Sequence, residues 1–323
     1  MYRYIVKMNH IDKRGSLNMS KYEMYKTLED LPVVTKVWLP DAMKVRKGVI
    51  QIIHGMCERK ERYKKAIDVF TKKGYICVAC DLRGHGENVE FEKDLGYIGE
   101  DGANLLVEDM HAVTVYIKNN FPDLPIILMG HSMGALIARA YTKKYDEDID
   151  MLVTLGCPAA NGLRYIGVGL VELMSIFIDD HEKNKLLDRL IVGNFNKKFE
   201  KEGIPYAWIC TDRKVVEEYN KDPKCGFSFS INGYSALCKL MCRAYSKRGW
   251  ALNNPTMPVI MLAGEDDPCI VDKDCFTKSV DIMKEIGYKN MVSRLYKGAR
   301  HEVLNEANYL EIIDDILERA PKA

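Results

Sequence analysis

The chain has 323 residues, and its 47 Lys and Arg against 46 Asp and Glu give a formal net charge of +1. That length suits one large α/β domain or two domains of about 150 residues each. At 47% hydrophobic and 29% charged it is too apolar for a disordered chain, and the balanced charge lacks the basic field that a dedicated nucleic-acid binder needs, leaving neutral small molecules as the expected partners.

Residues 2–8 and 33–39 read as strands that start the sheet in antiparallel fashion. Then short apolar runs alternate with amphipathic patterns: strand 48–55, helix 62–73, strand 75–81, helix 104–120, strand 125–130, helix 134–144 and strand 150–156. After a gap the alternation resumes with strand 258–264, helix 273–286, strand 291–296 and helix 306–318. Continuous apolar runs bounded by Gly and Pro suit strands buried on both faces of a parallel sheet, so the expected class is α/β, a mostly parallel central sheet flanked by helices. The gap, 157–257, is rich in Gly, Lys and aromatic residues and shows helices but no clear buried strand. A loop of that length without structure is improbable, so it should fold as a helical cap inserted into a core of 1–156 and 258–323. It leaves and re-enters at the C-terminal ends of strands, where open α/β sheets bind ligands, and is expected to cover the site.

Residues 1–8 hold no apolar core followed by a small-residue cleavage site, so no secretory signal is expected. The longest apolar stretch, 165–178, contains Glu172 and is shorter than the ~20 residues that span a bilayer. Ten cysteines are scattered along the chain, with Cys77/Cys80 and Cys238/Cys242 closely spaced. Cys77 and Cys80 sit three apart on one strand and must point to opposite faces, which no zinc site tolerates. The expectation is no metal, buried free thiols and a reducing, cytoplasmic compartment.

The most specific feature is Gly130-His131-Ser132-Met133-Gly134, a G-x-S-x-G lying directly after a strand and before a helix. So sharp a turn strains the serine and exposes its hydroxyl, Gly130 and Gly134 relieve clashes with strand and helix, and the helix N-terminus favours a developing oxyanion. Ser132 is thus the candidate nucleophile, with its acid and then its histidine expected further along the chain. His301 follows the last strand, whereas His181 lies among cap carboxylates. The loop after strand 258–264 can present Asp266 or Asp267; a carboxylate before Pro268 is biased to extended backbone, which favours Asp267. The oxyanion hole should use the N–H of Met133 and, from the loop His54-Gly55-Met56, that of Met56. His54 should brace that loop, Gly55 should let the backbone turn close to substrate, and Arg83 and His85 should fix the tight turn at 81–86.

Taken together, His54-Gly55-Met56 with Glu58, Arg59, Arg62 and Tyr63, the 81–86 turn, the serine pentapeptide, the 264–268 loop and the 296–306 loop resemble the α/β-hydrolase superfamily. Within it they are similar to the monoacylglycerol lipase and lysophospholipase-like branch. The resemblance runs from about residue 33 to 317, and a bacterial subgroup shares the cap segment Asp222-Pro223-Lys224-Cys225-Gly226-Phe227. It implies that Asp267 fills the G-x-x-D position and that a lid covers an acyl-binding tunnel and touches lipid surfaces transiently. It also implies a serine ester hydrolase of monoacylglycerol or lysophospholipid needing no cofactor. Leu163, Ile166, Leu170, Leu173 and Phe177 recur at helical spacing and could form the roof or merely the core of the cap. Tyr206, Trp208, Phe227 and Phe229 are expected in core rather than in a pocket. A short-chain carboxylesterase or thioesterase with the same triad is the second enzymatic reading, and a non-catalytic binding protein on the same fold is the alternative of another class.

Overall fold

The computed structural model describes residues 25–28, 31–160, 163–191 and 193–322. Its strands are β1 (Tyr25–Leu28), β2 (Thr35–Trp38), β3 (Gly48–Ile53), β4 (Tyr75–Cys80), β5 (Ile126–His131), β6 (Met151–Leu155), β7 (Pro258–Gly264) and β8 (Asn290–Tyr296). They form one sheet in the order β1-β2-β4-β3-β5-β6-β7-β8. β2 runs antiparallel to β1 and β4, and β3 to β8 are mutually parallel. The strand expected at 2–8 lies outside the described residues; the outer neighbour of β2 is β1.

The two-residue period of the strands sorts the core into two layers. In β3, Val49 and Ile53 enter one apolar cluster while Ile50 and Ile52 enter the other. On the second side pack α1 (Lys64–Lys72), through Ala66, Ile67 and Phe70, and α9 (Tyr309–Glu318), through Ile312, Ile313 and Ile316. The first side is covered by α2 (Gly102–Asn120), α3 (Met133–Tyr145) and α8 (Lys273–Ile286). Truncating a fully buried ring such as Phe70 to alanine should cost about 3–5 kcal/mol. Cys77 and Cys80 fall into opposite clusters, and eight of the ten cysteines are buried. β8 departs from the doubly buried strand expected at 291–296. It is an edge strand with an exposed Arg294 that pairs with Asp315 at 2.6 Å and Glu311 at 2.6 Å, and such charge blunts an open edge.

Between β6 and β7 come α4 (Leu163–Ser175), α5 (Lys185–Ile191), α6 (Arg213–Lys221) and α7 (Ile231–Tyr245). α7 packs on α2 and α3 and shares their apolar cluster, through Tyr234, Leu237 and Leu240. Around α6 a smaller cluster forms from Phe199, Trp208, Ile209, Val216 and Tyr219. No helix among the described residues is long and apolar enough to cross a membrane.

Strand order reverses at β3, whose neighbours are β4 on one side and β5 on the other. A crevice therefore opens at the C-terminal ends of β3 and β5, the place where such sheets hold ligands. The loops after β7 and β8 reach the same edge.

Candidate active site

Ser132 occupies the turn between β5 and α3 with φ 54° and ψ −119°, a region that costs a non-glycine residue roughly 1–3 kcal/mol. Its N–H donates to the Leu155 carbonyl at 2.9 Å, which ties the turn to β6. Strand and helix approach so closely that a Cβ on Gly130 would lie 2.2 Å from the Gly134 carbonyl oxygen. One on Gly134 would lie 2.2 Å from that of Ile53. The spacing of the pentapeptide is thus a steric requirement of the turn.

His301 and Asp267 are both buried and joined by a 2.9 Å hydrogen bond from Nδ1–H to Oδ2. The other carboxylate oxygen of Asp267 accepts the Cys269 N–H at 2.8 Å, so the acid is held from two sides. Asp266 points away and pairs with Lys198. The extended backbone of Asp267 before Pro268 (φ −70°, ψ 115°) is what separates the two neighbours.

Ser132, Met133, Met56 and His301 line one cavity of about 990 Å³. No hydrogen bond within the described residues takes up the N–H of Met56 or of Met133, and the latter is one of the orphan donors at the start of α3. His54 and His85 stand behind this wall. His54 Nε2 accepts the Leu82 N–H at 2.9 Å, so its Nδ1–H faces the Gly55 carbonyl at 2.8 Å. His85 Nε2 accepts the Cys57 N–H at 3.2 Å and its Nδ1–H faces the Arg83 carbonyl at 2.8 Å. Both rings are neutral in this arrangement, and burial lowers both pKa values, that of His85 to about 3. Arg83 itself forks onto Asp109 at 2.6 and 2.9 Å, fixing the 81–86 turn to α2.

A buried charge network lies beneath the serine, to which the sequence reading assigned no role. His131 faces an acceptor at each ring nitrogen: Glu58 Oε1 at 2.9 Å from Nδ1 and the His301 carbonyl at 3.2 Å from Nε2. Two acceptors require two protons, so His131 is an imidazolium. Burial opposes that charge, but the Glu58 hydrogen bond and charge outweigh it and raise the pKa. Burial likewise opposes the Glu58 carboxylate, and His131 and Arg62 hold it well below the usual range. Glu58 also accepts the Gly55 N–H at 2.6 Å and the Tyr63 hydroxyl at 2.9 Å, while Arg62 bridges to Glu302 at 2.7 Å. The signal in the sequence was a Glu and an Arg four apart shortly after β3, the spacing of a helical ion pair; nothing local links them to the G-x-S-x-G.

Most of the remaining cavity wall comes from the segment between β6 and β7, joined by Cys57, Pro268, Cys269 and Val271. Trp208 lies against His301 with ring centroids 4.8 Å apart, and Leu170, Val171, Leu187 and Leu237 add apolar surface. Trp208, Tyr206 and Phe227 line the cavity as well as packing on the core, Trp208 as a buried member of the cluster around α6, while Phe229 is fully buried as expected. A residue's hydropathy gives no sign of which side of a cavity wall it occupies. The apolar face expected on α4 is divided: Leu170 lines the cavity, whereas Leu173 and Phe177 are exposed. The side chains of Leu163 and Ile166 lie outside the described residues.

Three potential metal donors, on Asp267, Cys269 and His301, lie within 4.8 Å of one another. Burial pushes the Cys269 thiol pKa well up, so it stays protonated, and the His301 Nδ1 is already taken by Asp267.

A mostly parallel sheet with a strained serine turn at its switch point and a buried Asp–His pair at the same edge has the architecture of the α/β-hydrolases. Residues 44–308 match the model of the Hydrolase_4 family, described as serine aminopeptidase S33, and the chain belongs to that family. It is 27% identical over 284 residues to a monoacylglycerol lipase of Mycolicibacterium smegmatis, covering 88% of this chain and 91% of the relative. It is 26% identical over 260 residues to phospholipase YtpA of Bacillus subtilis, covering 80% and 89%. In fold it is similar to a thermostable carboxyl esterase from Bacillus coagulans, with a TM-score of 0.81, 22% identity and coverage of 89% and 94%. The chain is thus a hydrolase of the Hydrolase_4 family, similar to a monoacylglycerol lipase.

Proposed function

We propose that the protein hydrolyses monoacylglycerol or lysophospholipid through an acyl-enzyme on Ser132. In this reading His301 takes the serine proton as Oγ attacks the ester carbonyl, and Asp267 orients the imidazole and stabilises its charged form. The N–H groups of Met56 and Met133 receive the oxyanion, the alcohol leaves with the proton from His301, and water repeats the sequence to release the fatty acid.

The observation that carries the reading is the setting of Ser132 and His301, the latter bonded to Asp267, in the wall of a 990 Å³ cavity that is otherwise largely apolar. Such a volume is at the upper end for a ligand site and accommodates a long acyl chain. One polar group in the wall, Asp188, accepts from the Ser228 hydroxyl at 2.5 Å and from Tyr234, and it offers further lone pairs to the hydroxyls of a glycerol head group. The insertion 157–257 acts as the lid. Leu173, Ile176 and Phe177 near the end of α4 and Leu186 and Leu190 on α5 are exposed, an apolar surface suited to transient contact with a lipid–water interface. Ten reduced thiols support a cytoplasmic location.

The test is kcat/KM on acetyl, butyryl, octanoyl and dodecanoyl esters. Each buried methylene contributes about 0.8 kcal/mol, so kcat/KM should rise with length until the cavity is filled. An optimum at acetyl would promote the short-chain esterase reading instead.

A further inference from the structure

The residue next to the proposed oxyanion donor Met56 has an unusual number of fixed contacts. Cys57 is not glycine, yet its φ is 56°, in the left-handed region that disfavours side chains. Each of its polar groups is bonded. Its N–H donates to His85 Nε2 at 3.2 Å; its carbonyl accepts from the Gly226 N–H at 3.0 Å and from the Tyr219 hydroxyl at 3.0 Å. Its thiol donates to the Phe227 carbonyl at 2.8 Å, and burial keeps that thiol protonated. Three of these four bonds come from the insertion. On the other side of Met56, the Gly55 N–H is pinned to Glu58 at 2.6 Å.

The supporting segment is the Asp222–Phe227 stretch that no catalytic role accounts for. Asp222 closes α6 and accepts the Arg59 Nε–H at 2.7 Å, while its other oxygen accepts the Lys224 N–H at 2.9 Å, folding the turn that aims Gly226. Tyr206 donates to the Gly226 carbonyl at 2.8 Å and packs its ring 5.0 Å from that of Tyr219. Arg62, part of the charge network under Ser132, lies 4.7 Å above the Tyr219 ring.

We infer that Tyr219 and the turn carrying Gly226 and Phe227 are positioning residues: they hold Cys57 in its strained conformation and so fix the Met56 N–H where the oxyanion forms. The insertion then does more than cover the site, since the hole is completed only when this part of it is docked. The inference rests on the acyl-enzyme reading above and adds to it the source of the oxyanion geometry.

Tyr219→Phe removes one hydroxyl and keeps the buried ring. The measurements are kcat and KM on acetyl and octanoyl esters, the inhibition constant of an octyl trifluoromethyl ketone, whose adduct with serine carries an oxyanion, and the melting temperature. Removing an oxyanion donor outright costs 10²–10³ in kcat, so loosening one should cost about tenfold. The expected result is that loss in kcat for both esters alike, with KM within about twofold and the ketone bound weaker by the same factor as kcat/KM. Tyr206→Phe, one bond further out, should repeat the pattern at smaller amplitude and decides the matter if Tyr219→Phe does not fold. An unchanged kcat, a loss confined to octanoyl ester, or a loss that tracks melting temperature would overturn the inference. A wild-type protein that neither turns over esters nor reacts with a fluorophosphonate would overturn the hydrolase reading itself, which separates the two failures.

Discussion

Beneath Ser132 the chain is fixed by directed bonds among buried polar and ionic side chains: Glu58 to His131, Arg62 to Glu302, Asp267 to His301. Above it, the wall formed by α4, α5 and α7 is fixed mainly by apolar packing, with Val171, Leu187 and Leu237 buried and Leu173, Ile176 and Phe177 left in solvent. Directed bonds tolerate little displacement, so the edge of the sheet can hold atoms to the tolerance that proton transfer and oxyanion binding need. Packing of interchangeable aliphatic side chains constrains shape more loosely, which fits the proposed acyl-chain wall. On the proposed reading, chemistry belongs to the lower region and substrate specificity to the upper one.

The sharpest way to break that division is at the acid. Asp267→Asn should lower kcat by about 10⁴-fold, because the amide favours the wrong imidazole tautomer. Asp266→Asn, removing only a half-exposed partner of Lys198, should change kcat little. Steady-state kinetics on both variants checks this, and a dead Asp266→Asn would reverse the assignment.

A change in the upper region should instead act by chain length. Leu170→Asp places a charge against the cavity and should reduce the preference for dodecanoyl over butyryl ester by about tenfold, given ~0.8 kcal/mol per methylene. Leu173→Asp, on the exposed side of α4, should leave the ratio of kcat/KM values unchanged. Equal effects of the two would mean that α4 does not present one side to substrate.

How far this division was legible beforehand depends on what sets each feature. The G-x-S-x-G follows from steric contacts a few residues apart, at Gly130 and Gly134, so the pentapeptide carries it entirely. Asp267 was separable from Asp266 because Pro268 acts locally on backbone conformation. The strands β3 to β7 were legible because burial on both faces leaves a continuous apolar run. The edge position of β8 was not, since it depends on which strand has no further neighbour. The side of α4 that faces the cavity depends on how α4 packs on α7 and α7 on α2 and α3, and the placing of Trp208 over His301 on the cluster around α6, neither of which a local pattern records. The Glu58–His131 pair joins residues 73 apart in sequence, and only the fold brings them together.

That pair gives a pH test of the lower region. The Glu58 pKa is depressed, so its contribution to stability is present above its ordinary value of 4.5 and is lost as pH falls through its folded value. The His131 pKa is raised, so its contribution is present below 6.5 and is lost as pH rises through its folded value. The melting-temperature gap between wild type and Glu58→Gln should therefore be widest between pH 4.5 and 6.5 and narrow on either side. A gap independent of pH would mean the pair is not charged.

The smallest effect is expected at the outer surface of the insertion. Ile176→Ser with Phe177→Ser should weaken binding to phosphatidylcholine vesicles in a co-sedimentation assay, since each side chain entering lipid contributes about 1.5–3 kcal/mol. Turnover of a soluble butyryl ester should not change. Unaltered vesicle binding would remove the lipid-surface role from this patch.

The central claim is that Ser132 becomes acylated, and it is tested most directly by reacting the protein with a fluorophosphonate and mapping the adduct by peptide mass spectrometry. The account predicts one stoichiometric adduct on Ser132, loss of ester hydrolysis in parallel with labelling, and neither labelling nor hydrolysis in a folded Ser132→Ala variant. An adduct on another residue, or ester turnover retained by Ser132→Ala, would contradict it.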